Sequence, residues 1–255
     1  MLIFTDLDGT LLDHHSYDHR DALPALERLK HLQIPVIPVS SKTQAELVAV
    51  MKLLGLEGPI IGENGAVIIY PGEEPQIAPP GYLQIRDFLV DSRTNPDYDT
   101  LGFGDMTLEE VMEHTGLDRQ MAARAKSRLG SEPFLWQGES AGLSQFRLDV
   151  AAAGLRLLTG GRFHHLLGDT DKGKALRYVT EHLKRNGYPV TTTIALGDSD
   201  NDQEMLLAVD IPIIVRKHDG THIALEQRPD AIITDLPGPA GWNQAVHKLL
   251  QQYEA

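Results

Sequence analysis

The sequence predicts a doubly wound, parallel α/β fold of the Rossmann-like type that carries an inserted α+β domain. Three observations support this prediction. In the first third of the chain, short apolar runs alternate with amphipathic stretches, as in βαβ units. The middle of the chain lacks this alternation, and the last third resumes it. We therefore assign residues 1–80 and 168–255 to the core and residues 81–167 to the inserted domain.

The first elements follow from apolar spacing and helix-capping residues. Residues 2–5 and 35–39 are short apolar runs that predict buried strands, and leucines spaced by three residues predict a helix between them. Thr43, followed by Glu46, predicts a capping box at the start of the next helix, and Gly55 predicts its end. Two further strands are expected at residues 59–61 and 66–70.

The inserted domain begins at the end of a stretch, residues 71–81, in which Pro and Gly are crowded. Within it, Thr107 with Glu110 predicts a second capping box, and Asp118 predicts the start of another helix. The remaining elements are a short strand at 134–136, a helix through Leu143, Phe146 and Val150, and a hairpin of residues 155–158 and 162–167 that turns at Gly160-Gly161.

The returning alternation predicts the second half of the core. Its elements are a helix at 174–184, strands at 193–196, 211–215 and 231–234, a helix containing Met205 and Leu206, and a final helix whose apolar stripe begins at Trp242. We expect these stripes to pack in the core rather than to bind a cofactor.

The composition excludes several classes of protein. The chain has 255 residues, of which 42% are hydrophobic and 23% charged, as expected for a globular protein in water. It contains no Cys, so disulfides, thiolate metal sites and cysteine nucleophiles are excluded. The formal net charge of -13 argues against a nucleic-acid partner, because such binding depends on clustered Lys and Arg. Since neither a basic leader nor a long apolar run is present, we expect a cytoplasmic protein without membrane contact.

Two aspartates stand where the first predicted strand ends. Asp6 and Asp8 follow the apolar run 2–5, and residues two apart on an extended chain point to the same side. Their mutual repulsion calls for a cation, Gly9 allows a sharp turn beside them, and oxygen ligands suit a hard ion such as Mg2+. Taken alone, such a pair is explained equally well by a solvated turn with two ordinary aspartates.

A second acidic cluster makes the metal site the better interpretation. The segment Asp198 to Asp202 follows the predicted strand 193–196, and the carboxyl ends of parallel strands form the ligand-binding edge of an open α/β sheet. Ser40 ends another strand, where its hydroxyl and the following backbone N–H groups can hold a phosphoryl oxygen. Lys172, at the start of a predicted helix, can place an ammonium beside an oxyanion. Taken singly, these residues are typical of turns, caps and solvated lysines.

In their order along the chain, these segments resemble the four motifs of haloacid dehalogenase-like phosphatases. The matching segments are Asp6-Leu7-Asp8-Gly9-Thr10-Leu11-Leu12, Ser40, Lys172-Gly173-Lys174-Ala175-Leu176 and Gly197-Asp198 to Asp202. The segment Glu63-Asn64-Gly65-Ala66 and the long insertion resemble the branch with a large α/β cap after the third core strand. The resemblance covers essentially the whole chain.

More narrowly, the chain is similar to the mannosyl-3-phosphoglycerate phosphatase family. The segments that carry this similarity are Ser40-Ser41-Lys42-Thr43, Gly102-Phe103-Gly104-Asp105-Met106-Thr107, Ser131-Glu132-Pro133-Phe134 and Gly160-Gly161-Arg162-Phe163. Most relatives of the wider branch have Thr-Gly-Arg at the second motif, so Ser40-Ser41-Lys42 agrees with the narrower family. Asp200 occupies a position where Pro or another residue is frequent, which leaves its role as a ligand open.

The resemblance implies a mechanism with two displacements. Asp6 attacks phosphorus and forms a transient aspartyl phosphate, whereas Asp8 protonates the leaving oxygen and then takes a proton from the attacking water. It also implies that Mg2+ is held by an Asp6 oxygen, the Asp8 backbone carbonyl and Asp198. Asp202 is expected to be a further metal ligand or an anchor for the ligands.

The resemblance also implies which residues bind substrate. Ser40 and Lys172 are expected to hold the phosphoryl oxygens as charge develops on them. The further candidates for substrate binding are Ser41, Lys42, Asn64, Arg162 and His165. On the predicted cap strand, Arg162 and His164 alternate with Phe163 and His165, so we expect one of these pairs to face the cleft and to meet the glycerate carboxylate or sugar hydroxyls. His165 is chosen because it matches the Arg-Phe-x-His pattern of the family.

This resemblance predicts a phosphomonoesterase that converts mannosyl-3-phosphoglycerate, a small phosphorylated sugar-glycerate, to the osmolyte mannosylglycerate. The nearest alternative substrate is glucosyl-3-phosphoglycerate or another sugar phosphate. A phosphosugar mutase is a second alternative, because the same site can return its phosphoryl group to an organic acceptor. A non-catalytic metal-binding regulatory module is the third. The sequence does not predict the oligomeric state.

Overall fold

The computed structural model describes residues 1–160 and 162–254 of the chain. Its strands in chain order are β1 (Leu2–Thr5), β2 (Val36–Pro38), β3 (Ile60–Gly62), β4 (Val67–Ile69), β5 (Gln76–Ile77), β6 (Thr100–Gly102), β7 (Ser131–Trp136), β8 (Leu155–Thr159), β9 (His164–Gly168), β10 (Thr193–Gly197), β11 (Ile211–Arg216) and β12 (Ile232–Pro237). Gly161, one of the two glycines of the predicted hairpin turn, lies outside the described residues.

The α-helices of the same residues are α1 (Leu23–His31), α2 (Gln44–Leu54), α3 (Tyr82–Ser92), α4 (Leu108–Thr115), α5 (Arg119–Ala125), α6 (Ser140–Ala152), α7 (Lys172–Arg185), α8 (Gln203–Leu207) and α9 (Gly238–Glu254). Among these described helices, none combines the length and the apolarity that crossing a bilayer requires.

The core is a five-stranded parallel sheet in the order β12-β11-β10-β1-β2. Strand β1 lies between β10 and β2, with Ile3 beside Ile194 on one side and Val36 on the other. The chain therefore extends the sheet first to one side of β1 and later to the other, and ligands bind at such a switch point in open α/β sheets. The predicted fold class is confirmed.

Alternate residues of β1 pack into two different apolar clusters, as the two-residue period of a strand requires. Ile3 packs with Leu29 of α1 and Trp242 of α9 on one face of the sheet. Leu2 and Phe4 pack on the opposite face, in a cluster to which α7 and α8 contribute. Both faces of the sheet are therefore covered by helices, which explains why its strands are nearly continuous apolar runs.

A separate four-stranded antiparallel sheet, in the order β6-β7-β9-β8, lies in the inserted part of the chain. It has an apolar cluster of its own, in which Phe134 of β7 meets Phe146 of α6 with ring centroids 5.8 Å apart. Helices α4 and α5 form a further cluster around Val111 and Ala122. Because this region buries its own apolar side chains, it has the core that an α+β domain needs.

The chain leaves the core near Pro79 and returns at Gly168, and these two points are in contact. A Cβ atom at Gly168 would lie 2.3 Å from the carbonyl oxygen of Pro79, so only glycine fits there. The boundaries between residues 80 and 81 and between residues 167 and 168 stay our proposal for the division into core and cap.

Both predicted capping boxes are present. In each, a Thr side chain (Thr43 or Thr107) accepts a hydrogen bond from the backbone three residues later, and the Glu at that position accepts one in return. Three elements were not predicted, namely β5, α3 and β6. Helix α3 buries only Ile85 and Leu89, a stripe too short to be recognised in the sequence.

Candidate active site

The carboxyl ends of the parallel strands bring three acidic side chains together. Asp6 follows β1 and Asp198 follows β10, and these strands pair with Thr5 beside Leu196. Carboxylate oxygens of Asp6, Asp198 and Asp202 all lie within 4.8 Å of one another, and the three residues are buried. The structure thus brings the two acidic clusters of the sequence to one place.

A buried ammonium lies inside this acidic cluster. Lys172 is the first residue of α7 and is 1% exposed, and its Nζ lies 2.7 Å from Asp6 Oδ1 and 2.6 Å from Asp202 Oδ1. Burial alone would lower the pKa of Lys172, but the charges of Asp202 and Asp6 outweigh burial and raise that pKa above its ordinary value. Lys172 therefore holds a permanent positive charge beside the Asp6 carboxylate.

Asp202 accepts hydrogen bonds on both of its carboxylate oxygens. Oδ1 accepts one from Lys172, whereas Oδ2 accepts from the backbone N–H of Asp198 at 3.1 Å and from the backbone N–H and the hydroxyl of Ser199 at 3.0 Å. Gly197 makes this close approach possible, because a Cβ atom there would lie 2.6 Å from the Asp202 Cβ. Asp202 therefore fixes both the Lys172 ammonium and the loop that carries Asp198.

The charge of the cluster fits a divalent cation. Burial, followed by the charge of Asp202, raises the pKa of Asp6 well above its ordinary value. The same two causes, in the same order, raise the pKa of Asp198 to about 6. Three buried carboxylates face one ammonium, so the ionised cluster has an excess negative charge that needs compensation. Since the atoms available to bind a metal are carboxylate oxygens, Asp6 and Asp198 fit a hard ion such as Mg2+.

The turn after β1 brings its backbone against Asp198. Gly9 has a φ of +86°, and a Cβ atom there would lie 2.8 Å from Asp198 Oδ2. The Thr10 hydroxyl donates to Asp198 Oδ1 at 3.2 Å. Gly9 is therefore required twice, for its left-handed backbone conformation and for the space it leaves, and the turn predicted at this glycine is present.

Asp8 has a different environment from Asp6. Its Oδ2 lies 2.7 Å from the Nζ of Lys42, and its Oδ1 is buried without a hydrogen-bond partner among the described residues. Burial opposes the charge on Lys42, but Asp8 and then Glu46 raise the pKa of that lysine above its ordinary value. The Lys42 ammonium also lies 5.0 Å from the ring centroid of Tyr17. The structure therefore pairs a predicted substrate-binding lysine with the predicted acid–base residue.

Ser40 and Asn64 lie in two neighbouring loops that a backbone hydrogen bond joins. Ser40 is 1% exposed, its Oγ accepts from the Lys42 N–H at 3.3 Å, and its carbonyl accepts from the Asn64 N–H at 2.9 Å. Asn64 has a φ of +58°, and its Oδ1 accepts from the Asn201 side chain at 3.1 Å. Ser41 uses its carbonyl to bind the Arg128 side chain at 2.8 Å. These loops thus meet beside the acidic cluster.

A cavity of about 890 Å³ opens beside these side chains. The core residues that line it are Asp6, Asp8, Gly9, His14, His15, Ser41, Asn64, Asp198, Ser199, Asp200, Asn201, Glu204, Lys217, His218 and Asp219. The cap hairpin of β8 and β9 contributes Leu157, Leu158, Thr159, Gly160 and His165. A molecule in this cavity would therefore be enclosed by the edge of the core sheet on one side and by the cap on the other.

His165 lies in this cavity, on β9. Burial, followed by the charge of Arg128, lowers the pKa of His165 to about 3, so the ring is neutral at physiological pH. Its Nδ1 is buried and has no hydrogen-bond partner within the part of the chain that the structure describes. The imidazole is therefore available for a neutral hydrogen bond in the cavity, but it provides no positive charge.

Arg162 does not lie on a cap strand, so that prediction is wrong. Strand β9 begins at His164, because the Gly160 N–H bonds to the Phe163 carbonyl at 2.9 Å and keeps Arg162 within the turn. The exposed Arg162 donates to the carbonyl oxygen of His114 at 2.6 Å. Among the described residues that line the cavity, Arg162 is absent. The structure thus separates Arg162 from the other predicted site residues.

Two charged residues that the sequence interpretation did not assign join core and cap. Glu63 is fully buried with a φ of +50°, and its carboxylate accepts from the N–H groups of Leu129 and Gly130 and from the Ser131 hydroxyl, at 2.8 to 3.1 Å. Arg156 of β8 donates to Asp171 at 2.5 Å and to Glu204 at 2.9 Å. Their partners are distant in sequence, so no local pattern indicates these contacts.

Lys217 was also missed. It follows β11, the strand beside β10, and lines the cavity. The one feature of the sequence that indicates it is its position directly after a predicted strand of the parallel sheet, the same feature that indicated Asp6, Ser40 and Asp198.

Comparisons with known proteins agree with this arrangement. A sequence model of the haloacid dehalogenase-like hydrolases matches residues 3–78 and 166–223. A protein of Methanococcoides burtonii named glucosyl-3-phosphoglycerate/mannosyl-3-phosphoglycerate phosphatase is 41% identical, over 98% of this chain and 97% of the relative. A protein of Persephonella marina with the same name is 38% identical, over 100% of this chain and 98% of the relative.

Solved structures share the fold. A haloacid dehalogenase-like hydrolase from Bacteroides thetaiotaomicron matches with a TM-score of 0.73 and 19% identity, over 97% of this chain and 98% of that one. The sucrose-phosphatase from Synechocystis sp. PCC6803 matches with a TM-score of 0.68 and 15% identity, over 97% of this chain and 97% of that one. At such low identity these matches concern the arrangement of core and cap, not the substrate.

Proposed function

The chain belongs to the haloacid dehalogenase-like hydrolases, and from this premise we propose that it is a Mg2+-dependent phosphatase of hexosyl-3-phosphoglycerates. Its reaction class is the hydrolysis of phosphoric monoesters. The two full-length relatives carry both the glucosyl and the mannosyl substrate in their names. We propose mannosyl-3-phosphoglycerate as the preferred substrate, with mannosylglycerate and phosphate as the products.

The observation that carries this proposal is the buried Asp6 carboxylate, which lines the cavity. One of its oxygens is held 2.7 Å from Lys172, which is itself fixed by Asp202. Fixed in this way, Asp6 can present an oxygen to an electrophile without the rotamer freedom of a solvent-exposed side chain. Phosphorus is the electrophile that suits it, because the ammonium beside it stabilises the charge that develops on the phosphoryl oxygens.

The proposed reaction has two displacements. An Asp6 oxygen forms a bond to phosphorus as the bond between phosphorus and the glycerate oxygen breaks, and Asp8 gives its proton to that leaving oxygen. A water molecule then attacks the phosphorus of the aspartyl phosphate while Asp8 takes a proton from it, which releases phosphate and restores Asp6. Ser40 and Lys172 are proposed to hold the phosphoryl oxygens in both steps.

Mg2+ is proposed to be held by the Asp6 and Asp198 carboxylates and the backbone carbonyl of Asp8. When bound, it supplies the positive charge that offsets the acidic cluster and the phosphoryl group. For Asp202 we favour the role of anchor, because its oxygens already bind Lys172, Asp198 and Ser199.

The cap, which we propose as residues 81–167, is assigned to substrate choice. Its β8–β9 hairpin covers the cavity with residues that carry no charge at neutral pH, and a hexose is an uncharged, hydroxyl-rich group. His165 from the cap, together with Ser41 and Asn64 from the core, is proposed to bind hexose hydroxyls.

A phosphate-release assay with Mg2+ tests the proposal. The panel contains mannosyl- and glucosyl-3-phosphoglycerate, mannose 6-phosphate, glucose 6-phosphate and 3-phosphoglycerate, with Asp6→Asn as the inactive control. We expect the two hexosyl-3-phosphoglycerates to have the highest kcat/KM, and chelation of divalent ions by EDTA to abolish turnover. A higher kcat/KM for a simple sugar phosphate would contradict the proposed substrate class. Formation of an isomeric sugar phosphate without phosphate release would indicate a phosphosugar mutase.

A further inference from the structure

Four neighbouring strands of the core sheet end at the candidate site, and the fourth carries a lysine that no motif includes. Asp6 follows β1, Ser40 lies beyond β2 and Asp198 follows β10, whereas Lys217 follows β11. Because the strands are parallel and adjacent, their carboxyl ends open on one edge, and Lys217 lines the same cavity as Asp6 and Asp198. Lys217 therefore belongs to the site by position.

The backbone of Lys217 is held by a tight turn. Its N–H donates to the Thr221 carbonyl at 2.9 Å, and its own carbonyl accepts from the Gly220 N–H at 3.0 Å. Gly220 has a φ of +82°, which closes the turn. A residue anchored in this way has only its side chain left to reorient when a ligand enters the cavity.

The ammonium of Lys217 has no hydrogen-bonding or ion-pair partner among the described residues. This distinguishes it from the two other lysines near the site, since Lys42 is paired with Asp8 and Lys172 with two carboxylates. Its nearest acidic neighbour in sequence, Asp219, is bonded instead to the Thr221 N–H and hydroxyl at 2.9 and 2.6 Å. Lys217 is close enough to Asp198 for its charge to lower the pKa of that carboxyl, against burial and the charge of Asp202, which raise it.

The proposed substrate has two anionic groups, and the residues described so far account for one. The carboxylate of a hexosyl-3-phosphoglycerate is separated by two carbon–carbon bonds from the carbon that bears the phosphate, so the two anions enter the site together. Lys172, Ser40 and the metal are proposed to hold the phosphoryl group. The carboxylate needs a cation of its own, because a charge that is removed from water without a partner is strongly unfavourable.

We propose that Lys217 binds the glycerate carboxylate and so selects substrates with an anionic group beside the phosphoester, an inference that rests on the proposed function. Arg162, to which the sequence analysis assigned this role, is exposed and bonded to the His114 carbonyl. His218, which also lines the cavity, is less suited because its Nε2 is held 2.7 Å from Asp13 Oδ2. Among the described residues that line the cavity, Lys217 is the lysine, and its ammonium has no partner among them.

The test compares two substrates that differ only in the carboxylate. They are 2-O-mannosyl-3-phosphoglycerate and the corresponding 2-O-mannosylglycerol 3-phosphate, in which a hydroxymethyl group replaces the carboxylate. For Lys217→Ala we expect the ratio of kcat/KM values, carboxylate substrate over alcohol substrate, to fall by about 10- to 100-fold, mainly through KM. Lys217→Arg should restore most of the ratio. Lys52→Ala, which removes an exposed lysine of α2, is the matched control and should leave the ratio as in the wild type.

The outcomes separate this inference from the proposed function. If wild type hydrolyses neither mannosyl- nor glucosyl-3-phosphoglycerate, the proposed function is wrong and the carboxylate assignment is wrong with it. If wild type hydrolyses them and Lys217→Ala lowers kcat/KM equally for both test substrates, or for neither, the function stands and the role of Lys217 is overturned. Lys217→Met, which keeps an unbranched side chain of similar length without its charge, gives the same test should the alanine variant fold poorly.

Discussion

The two walls of the cavity differ in charge. The core wall contains acidic residues such as Asp6, Asp8 and Asp198 together with Lys217, whereas the described lining residues of the cap hairpin are Leu157, Leu158, Thr159, Gly160 and His165. Since the pKa of His165 is lowered to about 3 by burial first and by Arg128 second, this part of the cap wall is uncharged at pH 7. From this difference in charge we propose a division of roles, in which the core binds the anionic groups and performs the chemistry and the cap recognises an uncharged group.

The strongest test of this division removes the proposed nucleophile of the core wall. Asp6→Asn is expected to lower phosphate release by more than about 1,000-fold, because an amide cannot form the covalent intermediate. Phosphate release at saturating substrate and Mg2+ measures the effect. Circular dichroism should show that the variant is folded, because the substitution reduces the repulsion among three clustered carboxylates. Residual activity above about a thousandth of wild type would place the covalent step elsewhere.

Removing the proposed acid–base group of the core wall, Asp8, should have the next largest effect. Asp8→Asn is expected to reduce kcat by on the order of 100-fold, because neither the leaving oxygen nor the attacking water then has a proton-transfer partner. Its effect should depend on the substrate, since the p-nitrophenolate of p-nitrophenyl phosphate leaves without protonation. A burst of p-nitrophenolate followed by slow turnover, seen in stopped-flow absorbance, would support both roles. An unchanged kcat for mannosyl-3-phosphoglycerate would exclude them.

The same division explains what the sequence could and could not predict. Asp6, Ser40 and Asp198 each follow a short apolar strand, and the parallel order of such strands carries their positions to one edge of the sheet. The turn at Gly9 could also be predicted, because it depends only on residues next to it in sequence. Lys217 also follows a strand of the parallel sheet, but it stands outside the four motifs.

The cap contacts could not be predicted because they depend on tertiary docking. Glu63 binds groups at residues 129 to 131, and nothing near it in sequence indicates these partners. The β-like run beside Arg162 predicts a strand that includes this residue. In the structure the Gly160 N–H bonds to the Phe163 carbonyl, and β9 begins only at His164. A shift of this size changes which side chain reaches a cavity.

On the cap wall, His165→Ala should have a smaller and more selective effect. We expect KM for mannosyl-3-phosphoglycerate to rise by about 10-fold, as for the loss of one or two hydrogen bonds to hydroxyls, with little change in KM for 3-phosphoglycerate, which lacks the sugar. Steady-state kinetics with the two substrates measures the difference. An equal rise in both KM values would mean that the cap wall binds the anionic groups as well, and the comparison between the walls would fail.

The neutral state of His165 also predicts a pH dependence of stability. Its pKa lies near 6.5 in the unfolded chain and near 3 in the folded one, so between these values the unfolded state binds the extra proton and stability falls as the pH falls. Replacement of His165 by Gln removes this pH-dependent contribution to stability. Between pH 7.5 and pH 5, the free energy of unfolding of His165→Gln should therefore decrease by roughly 1–2 kcal/mol less than that of wild type. Urea unfolding of both proteins at both pH values measures this difference. Equal decreases for wild type and variant would show that His165 is protonated in the folded protein as it is in the unfolded chain.

The smallest expected effect is that of Arg162→Ala. This substitution removes the cap cation for which the sequence predicts contact with the carboxylate. The side chain is exposed and donates to the His114 carbonyl at 2.6 Å, outside the described lining of the cavity. KM for mannosyl-3-phosphoglycerate should therefore change by less than about 2-fold, and the free energy of unfolding by about 0.5 kcal/mol or less, as for other exposed substitutions. A KM increase of about 10-fold or more would mean that Arg162 reaches the carboxylate when substrate is bound. In that case the cap wall would carry charge after all, and the division between the two walls would hold only for the protein without substrate.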